Sequence, residues 1–194
     1  MENFAWIFLA GIGATATTDL WAMARKQLFG VAPPNYGLVG RWIAAMHRGR
    51  FIHESIAATP PVRGEVALGW IAHYLIGIAF AALLPAIWGS DWTRRPTLLP
   101  ALIVGVATVA APFFVMQPAM GAGIAASRTP RPAGARIQSL INHAIFGLGL
   151  YASGLLASLV NQDRVAQYNS RAISFTSCQK IITKPMLHTA FLSR

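Results

Sequence analysis

The sequence predicts an all-α, polytopic membrane protein: a four-transmembrane-helix bundle with a short amphipathic helix in the first loop. Three observations carry this prediction. Residues 66–90, 96–127 and 137–162 contain no Lys, Arg, Asp or Glu, and residues 3–24 contain only Asp19. A helix needs about 20 mostly apolar residues to cross the hydrocarbon core of a bilayer, and each stretch supplies that length. None of them alternates apolar and polar residues with period two, so the spanning form is a helix and not a barrel strand. Composition agrees: hydrophobic residues make up 55% of the 194 residues and charged residues 11%. A soluble domain carries about a quarter charged residues.

The first helix is predicted over about residues 4–23. It opens on Phe4, Trp6 and Phe8 and then turns small and polar, through Gly11, Gly13, Thr15, Thr17 and Thr18 to Asp19. Small residues let helix backbones approach and threonines bond across helices, so this face points into the bundle. Arg25 and Lys26 end the span. Residues 27–65 form the longest loop, punctuated by Pro33-Pro34-Asn35 and Thr59-Pro60-Pro61. Between them Leu38, Val39, Trp42, Ile43 and Met46 share one helical face. They predict a short amphipathic helix, lying either on the membrane surface or against the bundle.

The second helix is predicted over about 67–88 and the third over about 97–118. Pro112 and Pro118 fall inside the third uncharged stretch, which predicts a kink. The fourth helix is predicted over about 137–160, with small residues Gly147, Gly149, Ser153, Gly154 and Ser158. These positions suit bundle packing or a homo-oligomer. The transmembrane domain is thus residues 1–160. Residues 161–194 are a polar, basic tail without apolar periodicity, predicted to be disordered or only locally helical. All six Trp fall at predicted helix ends or in the surface helix, as an interfacial belt would have them.

Charge sets the orientation and excludes some functions. The net charge is +10, but the basic residues lie in loops between apolar stretches and not on one soluble module. Nucleic-acid binding is therefore not expected. The one cysteine, Cys178, excludes an internal disulfide framework and a cysteine-based zinc cluster. Met1-Glu2-Asn3 lacks the basic start of a signal peptide, so the first helix is expected to stay. Loops one and three carry most of the Lys and Arg outside the tail. They are expected in the cytoplasm, with both termini outside.

Topology then gathers the candidate site. Asp19 lies about one turn from the loop-one end of helix one. His73 and His143 lie about two turns into helices two and four from the same side. Gln117 nears that side on helix three, and Asn142 precedes His143. Ionisable groups inside a span face the bundle interior or a watery cavity. Asp19, His73 and His143 are thus candidates for an ion site, a weak metal site or a proton relay. The plainer alternative ties helices together through the same residues. His53 is a candidate lid over that end, or an ordinary interfacial loop histidine. No cofactor is required by any motif. Gly11-Ile12-Gly13 follows no strand and is not a dinucleotide fingerprint.

Several local motifs are specific: Gly40-Arg41-Trp42, Arg48-Gly49-Arg50-Phe51 with His53, and Gly64-Glu65 through Gly69-Trp70 to His73-Tyr74. So are Arg95-Pro96-Thr97-Leu98-Leu99-Pro100, Ala111-Pro112-Phe113-Phe114 with Gln117-Pro118, Ala125-Ala126-Ser127-Arg128-Thr129-Pro130 and Gly147-Leu148-Gly149-Leu150-Tyr151. Across about residues 5–160 the chain resembles an uncharacterised family of bacterial inner-membrane proteins, domain of unknown function 2938. The resemblance implies a small multi-spanning inner-membrane protein and brings no activity. Three readings follow: a small transport or permeation protein, a non-catalytic membrane scaffold or partner subunit, and a membrane-embedded metalloenzyme.

Overall fold

A computed structural model describes the backbone of residues 2–182 and the side chains of residues 4–160. The described residues are helical with no strand. The chain divides into two compact units, Met1–Ser158 and Leu159–Arg194. Four helices are long and apolar enough to cross a membrane: Phe4–Phe29, Glu65–Trp88, Leu98–Ala119 and Pro132–Val160.

Helix α1 spans Glu2–Phe29, six residues beyond the predicted end near residue 23. Charges end a membrane span but not a helix, and Lys26 suits the negative end of the helix dipole. Gly30 stops α1: its φ of +65° is left-handed, and its N–H donates to the Lys26 carbonyl at 3.1 Å. Helix α2 spans Tyr36–Met46 and starts on Asn35, whose Oδ1 accepts the Gly37 N–H at 3.1 Å. Its buried residues are Gly37, Gly40 and Arg41, while the apolar stripe stays half-exposed. Thus α2 packs on the bundle by its glycine face. A Cβ on Gly40 would collide with the Glu65 carbonyl, and one on Gly69 with the Tyr36 carbonyl.

Helix α3 spans Glu65–Trp88 and ends at Gly89. The short helix α4, Ser90–Arg94, fills the second loop. It carries Trp92, only 5% exposed, into an edge-to-face pair with Trp6 at 5.5 Å. These two tryptophans pack into the core of the first unit. The loop folds back here because Trp92 Nε1 donates to Thr97 Oγ1 at 3.1 Å.

The third span is distorted as its prolines predict. Helix α5 covers Leu98–Ala107, a π-helical turn covers Pro112–Met116, and helix α6 covers Gln117–Ala119. Pro112 has no N–H to give the Thr108 carbonyl, which accepts instead from the Ala111 N–H at 3.1 Å. Helix α7 spans Pro132–Ile182, well past the predicted end near residue 160. No Gly or Pro lies between Gly154 and Pro185 to break it. The tail, expected to be disordered or only locally helical, has a helical backbone as far as Ile182, and residues 183–194 lie outside the described residues.

Close approach at small residues sets the packing of the first unit. Gly11 lies on the Ile78 backbone and Gly149 on Ala14. A Cβ on Gly105 would come within 2.5 Å of Gly147 Cα. The core is correspondingly lean: Ala10, Ala14, Ala81, Leu84, Ala101 and Leu150 are all 0% exposed. Lipid tails are as apolar as leucine, so packing contact and hydrogen bonds hold these helices, not apolar burial.

Candidate functional site

Asp19 is the centre of a four-residue polar cluster. On α1, residues Gly11, Thr15 and Asp19 recur every four positions and face α3, where Thr15 meets Gly77. The same face brings Asp19 Oδ1 to 3.1 Å from His73 Nε2. The next residue on α3, Tyr74, donates its hydroxyl to Asp19 Oδ2 at 3.0 Å. From α2, Tyr36 donates to Oδ1 at a longer 3.4 Å and stacks on the His73 ring at 4.1 Å. Three helices therefore meet on one carboxylate. Burial, and then the Asp19 charge, push the Tyr36 hydroxyl well above the usual tyrosine range. The pair is half-buried: side-chain exposure is 15% for Asp19 and 20% for His73.

The other candidates go elsewhere. His143 Nδ1 lies 3.0 Å from Thr108 Oγ1 and 3.2 Å from the Gly105 carbonyl, so it ties α7 to α5. It has no bond to Asp19 or His73; its partners are Gly105 in α5 and Thr108 just after it. Asn142 accepts from Gln138 Nε2 at 2.9 Å on its own helix. Gln117 Oε1 is buried without a partner among the described residues. His53 is buried at 6% exposed. Its N–H donates to the Ala119 carbonyl at 2.8 Å, and Ile56 N–H donates to Met120 at 3.1 Å. Loop one is thus strapped across the end of the third span.

Among the described residues no group of three or more His, Cys, Asp or Glu is placed to hold a metal ion. The set Asp19, His73 and His143 divides its hydrogen bonds between two helix contacts.

Two features went unread in the sequence. Tyr36 and Tyr74 complete the Asp19 shell, and only the neighbouring positions of Tyr74 and His73 hinted at this. Arg41 and Glu65 form a two-pronged ion pair, with Nε to Oε2 at 2.8 Å and Nη2 to Oε1 at 2.7 Å. Arg41 Nη1 also donates to the Thr59 carbonyl at 2.7 Å, and Glu65 Oε2 accepts the Val62 N–H at 2.8 Å. One pair thereby fixes α2, the end of loop one and the start of α3. The signal was a lone acid at the head of a span, below a loop rich in arginine.

Four long apolar helices with inward polar ties and a lipid-like exterior define a multi-pass membrane protein. More particularly, the chain belongs to the family described as "Protein of unknown function (DUF2938)", which matches residues 8–157. No similar curated protein and no similar solved structure was found.

Proposed function

We propose that the chain is a non-catalytic scaffold or partner subunit of the bacterial inner membrane, and that the Asp19 cluster is its interhelical tie. One observation carries this reading. The polar groups of the Asp19 cluster are spent on direct helix-to-helix bonds, and the core beyond them is filled by side chains of 0% exposure. A proton or ion entering beside Asp19 meets Thr15, whose hydroxyl already donates to the Gly11 carbonyl, and then the apolar Ala14, Ala81 and Leu84. The small faces of α1 and α7 pack on each other within the chain. A partner would therefore meet the exposed apolar flanks. Loops one and three are proposed to face the cytoplasm because they carry the basic excess.

Proteoliposomes test the reading. An imposed pH gradient is expected to decay at the rate of empty liposomes. Faster decay that Asp19→Asn abolishes would favour transport instead. Transport keeps one supporting observation, the partly exposed and titratable Asp19–His73 pair. Orientation is tested in a Cys178→Ser background by labelling Ser55→Cys and Ser90→Cys, which are expected to react from opposite faces.

A further inference from the structure

Among the described residues one buried cation has no answering charge. Arg25 is 5% exposed, and its Nε and Nη1 are buried without a hydrogen-bond partner. One turn earlier on α1, Trp21 Nε1 is also buried without a partner. Both continue the line of Ala10 and Ala14, at successive spacings of 4, 7 and 4 residues. Ala10 and Ala14 lie in the fully buried core. Trp21 and Arg25 are therefore carried on the inward face, as donors one turn apart.

The described side chains offer Arg25 no acid. Asp19 is taken by His73, Tyr74 and Tyr36. Glu65 is taken by Arg41. Glu54 is exposed, and Asp91 lies in α4 beyond the opposite end of the spans. Gln117 Oε1 is the competing partner, a buried acceptor on α6. A neutral oxygen satisfies one N–H and leaves the charge unmatched. A guanidinium does not deprotonate, and an uncompensated buried charge is strongly destabilising. The surroundings draw anions: residues 25–65 and 128–136 hold nine Lys and Arg against Glu54 and Glu65.

We propose that Arg25, with Trp21 Nε1 beside it, binds a phosphate-class oxyanion at the loop-one end of the bundle. The planar fork of arginine matches two phosphate oxygens at once. The site lies at a span end, the level at which lipid phosphates sit, so a phospholipid headgroup and free phosphate are the two sources of this chemistry.

The test uses the full chain, purified and delipidated in a neutral detergent. The probes are phosphatidylglycerol, read by native mass spectrometry, and inorganic phosphate, read by melting temperature. The wild type is expected to retain the lipid and to melt higher with it. Arg25→Gln is expected to bind about tenfold more weakly, the loss of a charge-assisted bond, and Trp21→Phe to weaken binding by less. Lipid retention that phosphate cannot compete away assigns the headgroup as source. Stabilisation by phosphate alone, lost in Arg25→Gln, assigns the free anion. Equal binding of both probes by wild type and Arg25→Gln overturns the proposal. Should that variant not fold, Arg25→Lys keeps the charge and loses the fork, and unchanged affinity there overturns it equally. Without added anion, Arg25→Met is expected to melt no lower than wild type. A clearly lower melt would mean that the chain itself satisfies Arg25, and the proposal would fail.

Discussion

Asp19 Oδ1 and His73 Nε2, 54 residues apart in sequence, meet at 3.1 Å between α1 and α3. The bond joins two segments whose apolar flanks face lipid, so it supplies what apolar burial does not supply between membrane helices. It also places Asp19 within reach of Tyr74 and Tyr36, so the carboxylate satisfies donors from two further side chains. A half-buried carboxylate with both oxygens engaged behaves as a joint, and its removal strands its donors.

A double-mutant cycle measures that joint. Asp19→Asn and His73→Phe are each expected to lower stability in detergent, with a coupling of about 1 kcal/mol, in the range found for polar pairs between membrane helices. Asp19→Ala is expected to cost more than Asp19→Asn, because it strands both tyrosine hydroxyls as well. Additive effects within error would show that the two side chains meet without contributing to stability.

Glycines separate packing from propensity. Gly105→Ala places a methyl within 2.5 Å of Gly147 Cα and is expected to push α5 from α7, lowering the melting temperature markedly. Gly134→Ala lies in α7 with nothing within 4 Å. It is expected to be neutral or to stabilise by up to about 1 kcal/mol, because alanine is the better helix former. Circular dichroism melts of the two variants decide. Equal effects would show that the α5–α7 crossing is not set by this contact.

The spans were legible because their signal is length without charge, and lipid enforces that pattern whatever the tertiary contacts. Helix ends were less legible. Arg25 and Lys26 mark the end of a hydrophobic stretch, whereas the backbone stops only where Gly30 turns left-handed. The depth argument joined Asp19 to His73 but gave no rotation about each helix axis. It grouped His143 with them by depth alone and gave no sign that His143 bonds to Thr108, the residue after α5. Apolar pattern gave α2 a leucine and tryptophan stripe, to lie either on the membrane surface or against the bundle. Backbone approach at Gly40 and Gly69 chose the opposite face, and no hydrophobic scale registers a missing side chain.

Alkaline pH probes the Tyr36 contact. Its hydroxyl sits above the ordinary value of 10.0, chiefly through burial and then through the Asp19 charge. A raised value in the folded state means that the contribution is fully present below pH 10 and is lost as pH rises toward the folded value. The wild type is expected to lose stability above about pH 10, the unfolded tyrosine value. Tyr36→Phe is expected to lose less over the same window. Melting curves between neutral and strongly alkaline pH test this. Parallel pH profiles for the two proteins would show that Tyr36 does not report on Asp19.

Arg41 and Glu65 are expected to decide whether loop one stays closed. Arg41 serves five acceptors, both Glu65 oxygens and the carbonyls of Ile56, Ala57 and Thr59, and only a planar fork reaches them together. Lysine keeps the charge but offers one compact ammonium, so melting temperature is expected to fall in the order wild type, Arg41→Lys, Arg41→Ala. Glu65→Gln retains an oxygen for the Val62 N–H and is expected to be milder than Glu65→Ala. The loop provides a local readout, because Arg48, Arg50 and Arg63 are exposed sites for trypsin. Cleavage there is expected to accelerate in Arg41→Ala while the spans stay protected, since the variant frees the segment between α2 and α3 without touching the Asp19 joint. If cleavage stays at the wild-type rate, the strap from His53 to Ala119 holds the loop by itself.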